Sequence, residues 1–363
     1  MSAARLTGPV RIVGTGLLGT SIGLGLRAKG VEVTLSDVSP SVLALAVDYG
    51  AGRASAPDES PQLVVVCVPP DVTAAVVAAE LSAYPQAIVT DVASVKVAPL
   101  EQLSALEADL TRYVGSHPLA GRERGGAVAG RADLFLGRPW VVAGHSVLSA
   151  RATSVVDDLV LDLGAVLVEM TPRAHDDAVA IVSHAPQLIA TLLAKRLLDA
   201  APSSVALAGQ GLRDMTRIAG SDAELWVQIL GANAASVAGI LTAFRDDLDE
   251  VITALDAPGA PGARRALAET IAAGNAGVRT IPGKHGGANR FRVLTVMVDD
   301  RPGELARLLT DIGDTGVNME DLRLEHSPGA QIGLAEIAVL PEVEQRLVDE
   351  LAARGWRIAG ESR

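Results

Sequence analysis

Residues 10–19 read Val10-Arg11-Ile12-Val13-Gly14-Thr15-Gly16-Leu17-Leu18-Gly19, a β-branched run followed at once by Gly-x-Gly-x-x-Gly. Residues 21–28 continue with helical apolar spacing, so the glycines lie where a strand turns into a helix. There the first glycine permits a tight turn, the second lets backbone approach a pyrophosphate, and the third allows close helix packing. The alternative is a glycine turn that serves only its own geometry.

A second predicted strand ends in Asp37, 18 positions after Gly19 and near the ~20-residue offset of a ribose-binding acid. A carboxylate there accepts the ribose 2′-hydroxyl and repels a 2′-phosphate, which favours NAD over NADP. The expected cofactor contacts are Gly14, Gly16, Leu17, Leu18, Gly19, Asp37, Val68, Pro69 and Asp91.

Length and charge limit the class of protein. A chain of 363 residues predicts two or three domains. Its net charge of −12, with no basic stripe, argues against nucleic acid or an anionic membrane as a general partner. The single cysteine, Cys67, excludes an intrachain disulfide. No signal segment or sufficiently long apolar run is evident, so we expect a cytoplasmic protein, and no pattern predicts a metal site.

Residues 1–170 alternate apolar strands with helical segments, as in a doubly wound, mostly parallel Rossmann-type α/β sheet. The predicted strands are 10–14, 31–36, 63–68, 87–92, 112–115, 139–143 and 165–170. Ligands bind such sheets at the carboxyl ends of the strands, where Pro69, Asp91 and Ser94 are expected. His117 follows a predicted strand end in a glycine-rich loop that also holds Glu123. A structural histidine is the alternative, but the polar neighbours favour a site.

Residues 171–280 are predicted to form a helical domain. Thr171 is a plausible N-cap for a helix over 172–198 that is apolar on nearly all sides, kinked at Pro186, and expected at a subunit interface. Ser183 and His184 are polar residues in this apolar setting, and a satisfied core histidine is the alternative for His184.

The stretch 211–221 holds a second group of polar residues. If it is helical, Asp214, Arg217 and Ser221 share one face, so that Arg217 could bind a carboxylate with Asp214 behind it. An Asp–Arg pair on a solvated face is the alternative. Helical patterning continues to about Leu255, and glycine-rich residues 274–289 predict a linker.

Residues 290–363 form a third predicted domain with the order βαββαβ, the split-βαβ, ferredoxin-like arrangement. The predicted strands are 290–298, 317–325, 332–339 and 356–358, and the predicted helices are 302–315 and 342–354.

Taken together, these motifs resemble those of the prephenate dehydrogenases, and the tail resembles an ACT domain, a module that commonly binds small effectors. The resemblance covers essentially the whole chain. It rests on the dinucleotide motif, Asp91-x-x-Ser94-x-Lys96, Gly115-Ser116-His117-Pro118-x-Ala120-Gly121-x-Glu123, Ser183-His184, Asp214-x-x-Arg217-Ile218-Ala219-x-Ser221 and Trp226.

The resemblance implies NAD-dependent oxidative decarboxylation of prephenate to 4-hydroxyphenylpyruvate on the way to tyrosine, by a homodimer. It implies that His117 accepts the proton of the substrate's 4-hydroxyl, and that Ser94 bonds this hydroxyl or orients His117. Arg217 would bind a substrate carboxylate. The remaining implied pocket residues are Asp214 behind Arg217, Glu123 at the mouth, and Ser183, His184, Gln187, Ser221 and Trp226 along the walls.

Gln187 departs from the family pattern, in which many relatives carry a second histidine. This leaves the substrate's side chain open, and arogenate dehydrogenase is the close alternative. Two further alternatives are a non-catalytic NAD- and amino-acid-sensing regulator and a β-hydroxyacid dehydrogenase, for which the long helix offers only Lys195. The ACT-like tail is expected to bind tyrosine or another amino acid, or to serve only for dimerisation.

Overall fold

The computed structural model describes residues 3–120, 125–281, 291–325 and 332–361. The chain divides into two compact units, residues 1–200 with 215–244, and residues 201–214 with 245–363. The predicted domain boundaries near 170 and between 280 and 290 remain predictions.

The first unit is built on an eight-stranded sheet with the order β3-β2-β1-β4-β5-β6-β7-β8. All neighbouring strands are parallel except β6 and β7, which are antiparallel. The strand order reverses between β1 and β4, the position at which open α/β sheets bind ligands. In chain order the strands are β1 (Val10–Val13), β2 (Val33–Ser36), β3 (Arg53–Ala54), β4 (Leu63–Val66), β5 (Ile88–Asp91), β6 (Tyr113–Pro118), β7 (Pro139–Ala143) and β8 (Val166–Met170).

Helices cover both faces of this sheet, which confirms the predicted Rossmann-type layering. They are α1 (Leu17–Ala28), α2 (Pro40–Asp48), α3 (Pro70–Ala83), α4 (Val97–Ala105) and α5 (Ala150–Asp162). Helices α1, α2 and α5 share one buried core with Val65, whereas α3 and α4 share the other with Val64 and Val66. Successive β4 side chains therefore enter opposite cores, as a strand buried on both faces requires.

Two details of the sheet differ from the prediction. The short edge strand β3 was not predicted, because its two residues are both exposed and carry no apolar pattern. Strand β6 continues to Pro118, since His117 pairs with Val141 of antiparallel β7. His117 therefore lies within a strand and not after its end.

The long helix predicted over 172–198 is observed as two α-helices, α6 (Pro172–Val179) and α7 (Ala185–Arg196), joined by a π-helical turn, Ala180–His184. Thr171 caps α6 by accepting a hydrogen bond from the Ala174 amide at 3.2 Å. The break comes directly before Pro186, whose ring cannot donate to an α-helical ladder. In place of the predicted kink at Pro186, the helix has a turn wider than an α-helical one just before that residue. Ser183 and His184 lie in this turn.

Further helices follow up to residue 278. They are α8 (Pro202–Val205), α9 (Gln210–Thr216), α10 (Ala223–Ala232), α11 (Ala234–Asp256) and α12 (Ala263–Val278). Helix α12 occupies the start of the stretch predicted as a glycine-rich linker, so that prediction is wrong for residues 274–278. Residues 282–289 of the predicted linker lie outside the described residues.

The segment Pro172–Asp199 is long and apolar enough to cross a membrane by length and composition, and a third of its most apolar window is buried within the protein. This differs from the expectation that no such stretch exists. His175, Asp176 and His184 within it are buried and hydrogen-bonded to other elements of the first unit.

The second unit includes a four-stranded antiparallel sheet with the order β10-β11-β9-β12, packed on two helices. Its elements are β9 (Arg292–Asp299), α13 (Glu304–Asp314), β10 (Asp321–Glu325), β11 (Ile332–Val339), α14 (Pro341–Ala353) and β12 (Arg357–Glu361). The order βαββαβ is therefore as predicted. Strand β10 is shorter than the predicted 317–325, because Val317 packs into the core before the strand begins.

Candidate active site

The glycine turn between β1 and α1 has the geometry that its sequence predicts. Gly14 has φ of +93°, and a Cβ atom there would lie 2.3 Å from the Cys67 carbonyl oxygen. A Cβ on Gly19 would lie 1.9 Å from the Gly14 carbonyl oxygen. A Cβ on Gly16 would meet nothing within 4 Å. The first and third glycines are thus required by packing, whereas Gly16 borders open space at the N-terminus of α1, where anions bind.

Asp37 lies at the end of β2 beside this turn. Its Oδ2 accepts hydrogen bonds from the Thr15 amide at 2.7 Å and the Thr15 hydroxyl at 2.9 Å, and its Oδ1 accepts one from the Ser39 amide at 2.9 Å. An ionised carboxylate has about four acceptor sites, so one remains at Oδ1 for a ligand hydroxyl. The open space at Gly16 and this free acceptor position fit a dinucleotide with an unsubstituted ribose.

Asp91, at the end of β5, is fully buried. Its carboxylate forms an ion pair with Lys96, which also donates to the Ser116 carbonyl oxygen at 2.7 Å. The other carboxylate oxygen accepts a hydrogen bond from the Tyr113 hydroxyl at 2.7 Å. These partners make Asp91 part of the frame that holds β5 and β6 together, and its predicted contact with a cofactor remains a prediction.

A cavity of about 340 Å³ opens at the carboxyl end of β5 and at the end of β6. Polar groups from the sheet and from the helical segment face one another across it. Its walls are formed by Ser94, His117, Pro118, Leu119, Ala120, Val182, Ser183, His184, Trp226 and Ile229. Five predicted site residues therefore meet in one cavity: Ser94, His117, Ser183, His184 and Trp226.

His117 is the first member of a hydrogen-bonded chain that leads away from the cavity. Its Nδ1 lies 2.9 Å from Nε2 of His175, and Nδ1 of His175 lies 2.7 Å from Oδ1 of Asp176. Both His175 and Asp176 are buried. Sequence reasoning assigned neither residue to the site.

Proton positions follow along this chain from the carboxylate. The Asp176 carboxylate only accepts, so the proton of neutral His175 sits on its Nδ1, and its Nε2 becomes an acceptor. His117 must then donate from Nδ1, which leaves Nε2 with a free lone pair. The arrangement therefore presents His117 as a base, with His175 as its orienting partner. Ser94 lies on the wall of the same cavity, and its predicted bond to His117 or to a substrate hydroxyl remains a prediction.

Burial lowers the pKa of His117 well below 6.5, and the neighbouring His175, Lys96 and His184 lower it further. His117 is consequently neutral near pH 7, as a general base must be before it accepts a proton.

The Asp176 carboxylate also caps the N-terminus of α4. Its Oδ1 accepts a hydrogen bond from the Lys96 amide at 2.8 Å and its Oδ2 one from the Val97 amide at 2.9 Å. A carboxylate at a helix N-terminus satisfies amides that have no partner within the helix and complements the helix dipole. Asp176 thus ties α6 to α4 while it fixes His175.

His184 lies on the opposite side of the cavity, at the end of the π-helical turn. Its ring meets Trp226 edge to face, with centroids 5.9 Å apart, and its Nδ1 lies 3.2 Å from Nδ2 of Asn233. Burial is the main cause that lowers its pKa to about 4; Asp176 opposes this effect and His175 adds to it. His184 is therefore neutral near pH 7.

Arg217, Ser221 and Gln187 are not among the residues that line this cavity. Helix α9 ends at Thr216 and Arg217 begins a 3₁₀ turn, so the shared helical face predicted with Ser221 is not formed. Ser221 donates to the Ile218 carbonyl oxygen at 2.7 Å and lies 3.4 Å from Oε1 of Gln187.

Two predicted pocket residues remain, Asp214 and Glu123. Oδ1 of Asp214 accepts a hydrogen bond from Gln210 at 2.8 Å, and the pairing of Asp214 with Arg217 remains a prediction. Glu123 lies outside the described residues.

Two family models match this chain in succession. Residues 22–169 match the nucleotide-binding domain of prephenate dehydrogenase, and residues 171–271 match its dimerization domain. The chain belongs to the prephenate dehydrogenase family.

Individual members of the family are similar to this chain over different fractions of its length. A probable prephenate dehydrogenase of Streptomyces niveus is 39% identical over 95% of this chain and 98% of its own length. The structure of A. aeolicus prephenate dehydrogenase in complex with hydroxyphenyl propionate and NAD+ is 26% identical, with a TM-score of 0.67, and covers 75% of this chain and 99% of that one. The structure of Synechocystis arogenate dehydrogenase is also 26% identical, with a TM-score of 0.62, and covers 74% of this chain and 99% of that one.

Proposed function

We propose that this protein catalyses the NAD-dependent oxidative decarboxylation of prephenate to 4-hydroxyphenylpyruvate. The observation that carries the proposal is the neutral His117 with its free Nε2, in a cavity at the carboxyl edge of a dinucleotide-binding sheet. When bound at the glycine turn, NAD would accept the hydride from the ring carbon that carries the hydroxyl group. Gly14, Gly16, Leu17, Leu18, Gly19 and Asp37 would hold it, with Val68 and Pro69 at the end of β4.

The residues of the chain supply the base and the positioning. Nε2 of His117 takes the proton of the 4-hydroxyl as a carbonyl forms at that carbon. His117 then carries a positive charge. The negative Asp176 carboxylate stabilises this charge through the hydrogen bonds that His175 makes to both residues. Loss of the ring carboxylate as carbon dioxide then restores aromaticity, so decarboxylation itself needs little from the protein beyond orientation.

The opposite wall is suited to the substrate's side chain. His184 and Ser183 supply hydrogen-bonding groups, and Trp226 supplies an aromatic surface beside the ring. Arg217 would bind a substrate carboxylate, with Asp214 behind it. Glu123 would act at the mouth of the pocket, and Gln187 and Ser221 would be further substrate contacts.

Arogenate, which has an amino acid where prephenate has a keto acid, is the second candidate. It is favoured by the similarity to Synechocystis arogenate dehydrogenase and by the neutral Gln187 in place of a second histidine. The test is to measure kcat/KM for both substrates with NAD and with NADP, with and without tyrosine. We expect the highest value with prephenate and NAD, and a large preference for arogenate would replace the first candidate by the second.

We expect Asp37→Ser to weaken NAD binding and to improve the relative use of NADP. The substitution removes the acceptor for the ribose 2′-hydroxyl and the repulsion of a 2′-phosphate. Loss of a hydrogen bond to a charged group costs ~1.5–3 kcal/mol, so the Kd of NAD should rise roughly 10- to 100-fold. Titration of the free protein with each dinucleotide measures this, and Asp48→Ser, an exposed acid on α2, is the control. Unchanged selectivity would remove Asp37 from the ribose site.

For Arg217→Gln we expect a large rise in KM for prephenate with a smaller change in kcat. A lost bidentate carboxylate contact weakens ground-state binding and transition-state binding alike. Steady-state kinetics measure both constants, and Arg213→Gln, an exposed arginine on α9, is the matched control. An unchanged KM would mean that Arg217 belongs to a solvated surface and not to the substrate.

A second copy of the chain would cover apolar side chains that the helical segment leaves exposed. Ile181, Val182, Leu192 and Val227 are between 57 and 71% exposed in the first unit. Patches of this kind mark interfaces. We infer a homodimer formed through this segment, in agreement with its match to a family dimerization domain.

The sheet domain at 290–363 would act as an ACT-like regulatory module that binds tyrosine or another amino acid. Its βαββαβ order and four-stranded antiparallel sheet support this. Deleting residues 290–363 should abolish inhibition by tyrosine while leaving kcat for prephenate intact. Inhibition that survives the deletion would indicate competition at the active site, because tyrosine resembles the product. A module that serves only for dimerisation would show no tyrosine effect in the intact chain.

We place the reaction in the cytoplasm. The only cysteine of the chain is the free thiol Cys67, whose pKa is raised by burial, so it is held as an unreactive thiol. A lone thiol of this kind suits a reducing compartment.

A further inference from the structure

Asn233 occupies the junction of α10 and α11, where the two helices meet at 94°. It is a buried polar residue, 5% exposed, that the sequence did not single out. Its side-chain Nδ2 donates a hydrogen bond to the Asp176 carbonyl oxygen at 2.7 Å and lies 3.2 Å from Nδ1 of His184. The bond to the carbonyl oxygen fixes the side-chain amide in one orientation.

This orientation determines the protonation of His184. A carbonyl oxygen can only accept, so the amide atom that faces Asp176 must be the nitrogen. The same nitrogen faces Nδ1 of His184, which must then be the acceptor, and the imidazole proton sits on Nε2. A proton on Nδ1 would place two donors against each other in a buried site, at the cost of an unsatisfied polar group.

We propose that Asn233 is a positioning residue that selects the Nε2–H tautomer of His184, and thereby the hydrogen-bonding group that His184 offers to the substrate cavity. The ligand class that suits such a group is an oxygen acceptor, such as the keto or carboxylate oxygen of an anionic substrate side chain. The identity of that ligand rests on the proposed function, whereas the tautomer does not.

Asp176 connects Asn233 and His184 to His117, the base on the other side of the cavity. The backbone oxygen of Asp176 holds Asn233, while its carboxylate holds His175, the partner of His117. Asp176 therefore anchors both the base and the substrate-binding histidine. Trp226, on α10, is placed against His184 by the helix that leads directly into Asn233.

The tautomer can be read directly by ¹⁵N NMR of the histidine rings in the full-length protein, with the His184 signals assigned by their loss in His184→Gln. In the unaltered chain we expect a protonated Nε2 and an unprotonated Nδ1 at His184. A protonated Nδ1 would overturn the proposal, whatever the variants do. In Asn233→Asp the new carboxylate accepts from Nδ1, so we expect Nδ1 to become protonated.

Kinetics give the second readout. Loss of one hydrogen bond to the substrate should raise KM for prephenate about tenfold in Asn233→Asp and Asn233→Ala, with a smaller effect on kcat. The matched control is Ser236→Ala, which removes the 2.7 Å hydrogen bond from Ser236 on α11 to Asp177 on α6 without touching His184. If Ser236→Ala raises KM equally, or if Nδ1 of His184 stays unprotonated in Asn233→Asp, Asn233 only joins α6 to the junction of α10 and α11. Failure of the unaltered protein to oxidise prephenate would overturn the proposed function and leave the NMR result standing.

Discussion

Replacing His117 by Asn should lower kcat with prephenate by ~10²–10⁴-fold, the usual range for the loss of a general base. An asparagine side chain can still bond to His175, but it has no group that takes up the hydroxyl proton at neutral pH. The dinucleotide turn at 14–19 is not altered, so the Kd for NAD should stay within about twofold of its original value. Presteady-state formation of NADH measures the chemical step, and titration of the free variant measures NAD binding.

The control for this substitution is His145→Asn. His145 is a half-buried histidine in the loop after β7. It forms a hydrogen bond with the Tyr113 carbonyl oxygen at 2.9 Å and does not line the 340 Å³ cavity. We expect its replacement to leave kcat nearly unchanged. A His117→Asn variant that keeps near-normal kcat would exclude His117 as the base.

The pH dependence gives a further check on His117. Its pKa is lowered by burial and by the neighbouring histidines and Lys96, so the base remains unprotonated until the pH falls well below 6.5. Protonation removes the base, and kcat/KM should therefore fall on the acid side with a midpoint below 6.5.

The second large effect is expected for Asp176→Asn. Its carboxylate accepts hydrogen bonds from the His175 ring and from the Lys96 and Val97 amides. Oδ1 accepts from both His175 and the Lys96 amide, and Oδ2 accepts from the Val97 amide. The amide of asparagine has a single acceptor atom, so an NH₂ group must face either the Val97 amide or the pair formed by His175 and the Lys96 amide. If the side facing His175 is lost, the histidine adopts the other tautomer, and His117 can no longer present a free Nε2.

We expect kcat of Asp176→Asn to fall by ~10²-fold or more, since the wrong tautomer of a catalytic histidine disables the base. Stability should fall by ~1–3 kcal/mol, the cost of leaving a buried amide at the start of α4 without its acceptor. Thermal unfolding and steady-state kinetics separate the two effects.

The matched control is Asp177→Asn, because Asp177 is the exposed neighbour that pairs with Arg173 at 3.3 Å. It should change neither quantity appreciably. If Asp176→Asn is destabilised but retains normal kcat in its folded form, Asp176 is only a helix cap, and the chain from His117 through His175 has no catalytic role.

The parts of the fold that were predictable are those with a local signature. Gly19 cannot carry a Cβ because of the Gly14 carbonyl oxygen only five positions earlier. Strand β4 is a short apolar run closed by Pro69 and Pro70. The sequence predicted only a kink at Pro186 and not the π-helical turn, because the width of a helical turn depends on its packing.

The base and its cavity were predictable in part. Polar residues at the sheet's carboxyl edge indicated Ser94 and His117, and their motif with Lys96 carried the family resemblance. His175 and Asp176 were interpreted as the start of a helix, which accounts for them locally. Their partners lie 58 and 80 positions away, at His117 and Lys96, and such pairings have no signal in a single sequence. Asn233 was missed for the same reason, since its contacts are with residues on α6 and in the π-helical turn.

The central claim is tested most directly by measuring NADH and carbon dioxide together in one reaction of the purified full-length protein with prephenate and NAD. We expect both to appear at the same rate and in equal amounts, with 4-hydroxyphenylpyruvate as the product, and both to vanish together in His117→Asn. NADH formed without carbon dioxide, or no NADH from prephenate at all, would contradict the claim.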